Sequence, residues 1–362
     1  MKNERGLGLR ELRAVGNAPS HAETSVEHCA RVGRRSAELT SVGRGGACPP
    51  RERGRESRSV KLIGVLGALL ALSGCDDPLV PVELVEKARV LGARLEVDGA
   101  PERAAPAPGE AARVRFLVVA PELELEVGYA LRACFAEWSP SGLPVCVGEP
   151  FATAERSAPD ASEAALDFVL PEYDADASLP RLLVRGVICA HGAPSDDGGE
   201  RCAANATPLP VSFDLELPGT SDAPNLNPSL PDEAFTLDGE TWTSASARET
   251  ACRGLDVPEV SAGSAHEIRV LLPESARDAV PPPIEGAPEL ESLLVSHFAT
   301  HGGLERAFSP LPGNGTSLDV TVSWTAPASA PEGGELVRFW FVVRDGRGGA
   351  DFAERAVCVV PN

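Results

Sequence analysis

Between residues 211 and 217 the chain reads Val-Ser-Phe-Asp-Leu-Glu-Leu, which sets Val211, Phe213, Leu215 and Leu217 against Ser212, Asp214 and Glu216. Successive side chains of an extended backbone point to opposite faces, so a period of two predicts a strand with one buried face. Residues 318–324 repeat the pattern, and 337–343 carry at least one apolar face. Apolar runs bounded by turn residues predict further strands at 90–97, 112–119, 128–137, 165–170, 181–190, 235–242, 266–272, 291–299 and 352–360. Between them lie turn clusters such as Ala107-Pro108-Gly109-Glu110 and Asp345-Gly346-Arg347-Gly348-Gly349. After residue 75 no long stretch carries a helical stripe. The reading is an all-β chain with two immunoglobulin-like antiparallel β-sandwich domains, 82–217 and 234–362. A segment rich in Pro, Ser, Asn and Asp, 218–233, joins them.

The first 75 residues follow a different pattern. Residues 1–59 mix arginine with Gly and Ser and show no apolar period, so they read as disordered or as an upstream extension wrongly joined to the coding sequence, with Val60 then a candidate start. Lys61 is followed by an apolar run, Leu62 to Leu72, of 11 residues. As a helix this run spans roughly 16 Å, about half a hydrocarbon core, which suits the apolar part of a signal peptide rather than a membrane span. Residues 60–74 are therefore read as a signal peptide.

Its end, Leu72-Ser73-Gly74-Cys75, resembles a bacterial lipobox. Small residues before the cut let a peptidase reach the backbone, and only a thiol can form the thioether to diacylglycerol. Two or three acyl chains at about 0.8 kcal/mol per buried methylene would anchor the chain permanently at Cys75. Residues 75–81 would then be the tether.

Charge sharpens this division. Residues 1–75 hold 13 of the 33 Lys/Arg and 7 of the 53 Asp/Glu, a net charge of +6, which leaves −26 for the remainder. A field of that sign repels nucleic acid and anionic headgroups, so no nucleic-acid partner is expected and the acidic side chains serve to solvate the surface. The part beyond Cys75 also holds six cysteines, an even set that fits disulfides in an oxidising compartment. Several connectivities are open; the preferred pairing is Cys134 with Cys146, Cys189 with Cys202, and Cys252 with Cys358.

With these residues in view, a resemblance can be named. The lipobox, Val85-Glu-Lys-Ala-Arg-Val-Leu-Gly-Ala93 and Pro108-Gly-Glu-Ala-Ala-Arg-Val114 resemble the opening of Ig-like surface lipoproteins of the myxobacterial type. His297-Phe-Ala-Thr-His-Gly-Gly303, Val342-Val-Arg-Asp-Gly-Arg-Gly-Gly349 and Val357-Cys-Val359 are similar to the closing strands of that group, and to the last hairpin of many immunoglobulin, cadherin-like and polycystic-kidney-disease-type repeats. The resemblance implies a cell-envelope β-sandwich protein, and it supplies neither a catalytic residue nor a ligand.

Candidate chemistry is sparse. No nucleophile elbow, zinc-protease helix, P-loop or dinucleotide fingerprint occurs, so no catalytic residue and no cofactor is expected. His297 and His301 are four apart and would share a face, which is weak as a metal pair without a placed carboxylate. Asp345–Asp351 and the acidic loop Ser195–Glu200 resemble calcium loops only faintly, and a hairpin turn and a solvated loop are the readings taken. Trp242, Trp324 and Trp340 are read as core by default; Trp340, off the Trp324 face, is the aromatic to test for ligand contact.

The functional expectation is a lipid-anchored envelope protein, at the outer membrane, with a non-catalytic binding or display role and an unidentified protein or glycan partner. The alternatives are a calcium- or carbohydrate-dependent adhesion module and an accessory subunit of an envelope complex.

Overall fold

The alternation at 211–217 becomes a strand, Thr207–Glu216, in which Val211, Phe213 and Leu215 are buried while Ser212 and Glu216 face water. This computed structural model describes residues 81–362 apart from 123, 161–163, 174–180, 197–199, 218–224, 245–250 and 281–288, with 158–160 and 289 described by backbone alone. The expected leader and the lipobox-like Leu72, Ser73, Gly74 and Cys75 lie outside the described residues.

Eight strands build the first sandwich: β1 (Arg89–Val97), β2 (Ala111–Val119), β3 (Val127–Trp138), β4 (Pro144–Cys146), β5 (Ala152–Asp160), β6 (Ala164–Val169), β7 (Arg181–Ala190) and β8 (Thr207–Glu216). One sheet runs β1-β2-β6; the other runs β4-β3-β7-β8, with β5 also paired to β3. Their inner faces meet in a core that includes Leu95, Val114, Phe116, Leu131, Leu166, Leu182, Val184 and Phe213.

Twelve shorter and longer strands follow: β9 (Phe235–Leu237), β10 (Glu240–Thr241), β11 (Glu259–Ser261), β12 (Ala265–Leu271), β13 (Ala279–Val280), β14 (Glu289–Leu290), β15 (Leu293–Ala299), β16 (Gly303–Leu304), β17 (Phe308–Leu311), β18 (Asp319–Thr325), β19 (Glu335–Arg344) and β20 (Ala350–Val360). Sheets β10-β9-β12-β18-β16 and β11-β20-β19-β15-β17 enclose a second core around Trp242, Trp324, Phe235, Phe339 and Phe341. Pairing is antiparallel except where β11 runs parallel to β20. The strand orders are those of an immunoglobulin-like sandwich.

The strands expected from the apolar pattern are present with ends shifted by a few residues, except 235–242, which Asp238 and Gly239, both at positive φ, fold into the hairpin of β9 and β10. The pattern missed β5, whose Ala-Thr-Ala-Glu-Arg-Ser lacks an apolar run, and the short strands β4, β11, β13, β14, β16 and β17. These gain their place from a neighbouring strand's backbone, because an edge needs partners more than hydrophobicity.

Among the described residues three disulfides staple the fold: Cys134–Cys146, Cys189–Cys202 and Cys252–Cys358, with Cα separations of 5.6, 5.6 and 5.5 Å. The last requires glycine at 334, where a Cβ would lie 2.5 Å from Cys358 Sγ.

The described part of the expected linker is built into the fold. Asn227 is buried; its Nδ2 donates to Leu95 O at 2.7 Å and its Oδ1 accepts from Ala350 N at 3.1 Å, joining β1 to β20. Asn225 Nδ2 donates to Asp345 Oδ2 at 2.7 Å, while Ala104 N donates to Asn225 O. Beside these bonds, Val85, Leu91 and Val119 pack against Phe298, Trp340 and Val342 in a third apolar cluster. Arg94 pairs with Asp351 across the same junction, and the Arg344 guanidinium donates to Leu91 O. All described residues belong to one compact unit.

Candidate functional site

The tryptophans reverse the expected order. Trp242 and Trp324 are core residues, their indole N–H groups donating to Ala356 O at 2.9 Å and His301 O at 3.1 Å. Trp340 does lie off the Trp324 face, but it is only 1 % exposed because the first sandwich covers that face. It is therefore corrected from a candidate ligand contact to a junction residue. The exposed indole is Trp138, 57 % exposed, at the end of β3.

The register explains why. Phe135, Leu131 and Ala133 face the core, so Ala136 and Trp138 stand on the opposite, outer face of the sheet. Directly opposed residues share a face, which brings Pro144 and Cys146 of β4, Arg181 and Leu183 of β7, and Asp214 and Glu216 of β8 to that side. Buried Cys134, Ala136 and Leu183 pack with Cys146 into a small floor, and the Cys134–Cys146 bond holds the hairpin down. The Arg181 guanidinium lies over the Trp138 ring at 4.6 Å from its centroid. Its two terminal nitrogens meet Asp214 and Glu216, the latter at 3.2 Å. A sequence signal existed: Trp138 directly precedes Ser139-Pro140-Ser141-Gly142, a turn at which the strand runs out past its core.

His297 and His301 do not form a shared face. His297 is buried in β15, with Nε2 3.0 Å from Ser309 Oγ and its ring edge-on to Phe341. Burial, helped by the Arg306 charge, lowers its pKa to about 4. His301 lies past the strand, 3.5 Å from Glu335. Gly302 beside it is at φ +85°, and a Cβ there would meet Trp324 Nε1 at 2.4 Å.

The Asp345 segment is a hairpin turn. Asp345 Oδ1 accepts from Arg347 N at 2.7 Å and Gly349 N at 2.9 Å. Burial raises the pKa of Asp345 and of neighbouring Glu291, in each case against hydrogen bonds that favour the anion. Glu291 is held by Arg347 at 2.5 Å. In the acidic loop, Asp197–Gly199 lie outside the described residues, while Glu200 pairs with Arg132 at 2.5 Å and Arg185 at 2.8 Å. Among the described residues no three His, Cys, Asp or Glu side chains stand together as a metal set.

One array was not foreseen. His266 Nδ1 lies 2.6 Å from Asp238 Oδ2, and Nε2 lies 2.5 Å from Ser264 Oγ. This is the connectivity of a nucleophile triad. Desolvation would raise the Asp238 pKa, but His266 and the Glu267 N–H outweigh it and lower it. The Ser264 hydroxyl also sits 2.5 Å from Ser261 O, a carbonyl that competes for its single proton. None of the three residues lines either of two open clefts, about 460 Å³ beside β1 and β8 and about 740 Å³ at the ends of β1, β2 and β6. The array closes a turn at the end of the second core.

No protein-family model matches the chain, and no curated protein matches it.

Proposed function

We propose that this protein is a lipid-anchored envelope lipoprotein of bacterial type, held through Cys75, whose β-sandwich body works by binding or display. The observation that carries the reading is the set of three disulfides in the described body, since such bonds persist in oxidising compartments. The lipobox-like Leu72-Ser73-Gly74-Cys75 supplies the anchor, and 46 of 53 acidic residues follow it, which keeps the displayed body soluble. The junction clamped by Asn225, Asn227 and Trp340 suits display, because a ligand site on either sandwich keeps its orientation to the other. The test is intact mass and unreduced peptide mapping of protein extracted from its native membrane. The expected product begins at an acylated Cys75; an unacylated chain retaining residues 1–59 overturns the reading.

A second reading, hydrolysis at the Ser264–His266–Asp238 array, is favoured only by its connectivity. Labelling with a fluorophosphonate decides it: an adduct on Ser264 supports an activated hydroxyl, and none leaves the array a structural one.

A further inference from the structure

We propose that the outer face of the β4-β3-β7-β8 sheet holds a carbohydrate site, in which Trp138, backed by Arg181, is the stacking platform and Asp214 and Glu216 are the hydroxyl-binding rim. This deepens the display reading by naming a ligand class, and its test does not depend on whether Cys75 carries lipid.

The geometry selects a sugar. One face of the Trp138 indole is backed by the Arg181 guanidinium at 4.6 Å, so the ring is held in one orientation while more than half of the residue meets solvent. A pyranose has an apolar C–H face that stacks on an indole and equatorial hydroxyls that meet planar, bidentate groups at its edge. Asp214 and Glu216 offer acceptors on the Trp138 face of the sheet, while Arg181, ion-paired with both, holds them and the indole in place. Neighbouring carboxylates and the −26 charge beyond residue 75 disfavour uronic or sialic acids, so the ligand class is neutral polysaccharide. An open sheet face suits a polymer better than a free monosaccharide, which needs enclosure. A protein partner fits less well. Stable interfaces cover about 800 Å² per side around an apolar centre, whereas here a lone indole sits among charges. The exposed Leu143, Val145 and Val147 alternate onto the other face of the hairpin, where Val145 opposes Glu137.

The experiment is native affinity electrophoresis of the detergent-solubilised full chain through gels containing β-glucan, xylan, galactomannan or polygalacturonate, with sedimentation on insoluble chitin and peptidoglycan. The expected result is retention by at least one neutral polymer and none by polygalacturonate. Trp138→Ala would weaken retention by about tenfold or more, with Trp138→Tyr retaining part of it. Because the other three tryptophans are buried, the bound sugar would also protect wild-type fluorescence from iodide quenching. Retention by no polymer, or retention unchanged in a folded Trp138→Ala protein with three intact disulfides, overturns the site. Should Trp138→Ala fail to fold, Trp138→Tyr together with the wild-type quenching carries the same decision.

Discussion

Acid should weaken this fold through His297. The ring is fully buried, its Nδ1 has no hydrogen-bond partner, and Ser309 Oγ, which meets Nε2, also receives the Arg306 Nε donor at 3.0 Å. Burial disfavours a charged ring there, and an added proton gains no acceptor and faces the Arg306 guanidinium, so the pKa falls from 6.5 to about 4. The native state therefore stays neutral over a range in which the unfolded chain takes up a proton. When the unfolded state binds more protons, stability rises with pH, so the contribution is complete above about pH 6.5 and is lost progressively as pH falls towards 4. The full span is about 3 kcal/mol, of which about 2 kcal/mol is lost between roughly pH 7.5 and pH 5. Urea unfolding of wild type and His297→Gln at both pH values isolates this term, because carboxylates common to both proteins cancel in the double difference. Wild type should lose about 2 kcal/mol more than the variant. Equal losses would show that His297 binds its proton alike in both states, and the argument from burial would fail.

Other positions give further expectations. Trp340→Ala removes the largest side chain of the junction and should cost about 3–5 kcal/mol, read by thermal or urea unfolding; a cost within that of a surface change would mean the covering face is loose. Cys252→Ser with Cys358→Ser opens a pair 106 residues apart and should cost up to about 5 kcal/mol in the chain-entropy picture, against about 3 kcal/mol for the Cys134–Cys146 pair 12 apart. A reversed order in unfolding experiments would point to strain or residual unfolded structure. Asn227→Ala leaves Leu95 O and Ala350 N without their junction partner and should cost about 1–3 kcal/mol, with faster amide exchange at Ala350. Unchanged exchange there would remove Asn227 from the clamp.

The strand content was legible because alternation in 211–217 or 318–324 is a local property: each residue's face follows from its neighbours. Cysteine pairing was partly legible, since an even set beyond Cys75 invites three bonds, but which strands brought them together required the fold. Edge strands such as β5 were not legible, because hydrogen bonds to β3, rather than burial, hold them extended.

Exposure was the hardest property to read. From sequence, Trp340 and Trp138 are both aromatics on the second face of a strand. That face is buried in β19 because Val85, Leu91 and Val119 of the first sandwich close over it, whereas in β3 Trp138, with Arg181 over its ring, stays 57 % exposed. Likewise the Pro- and Asn-rich segment before β9 has the composition of a free linker, yet Asn225 and Asn227 are spent on backbone and carboxylate groups of both sandwiches. Residue type and short-range order were enough for the all-β class, the positions of the longer core strands and the acidic balance beyond Cys75. Which second faces are covered, where the lone exposed indole stands and what the linker binds were decided by tertiary packing, because burial depends on residues far away in the chain.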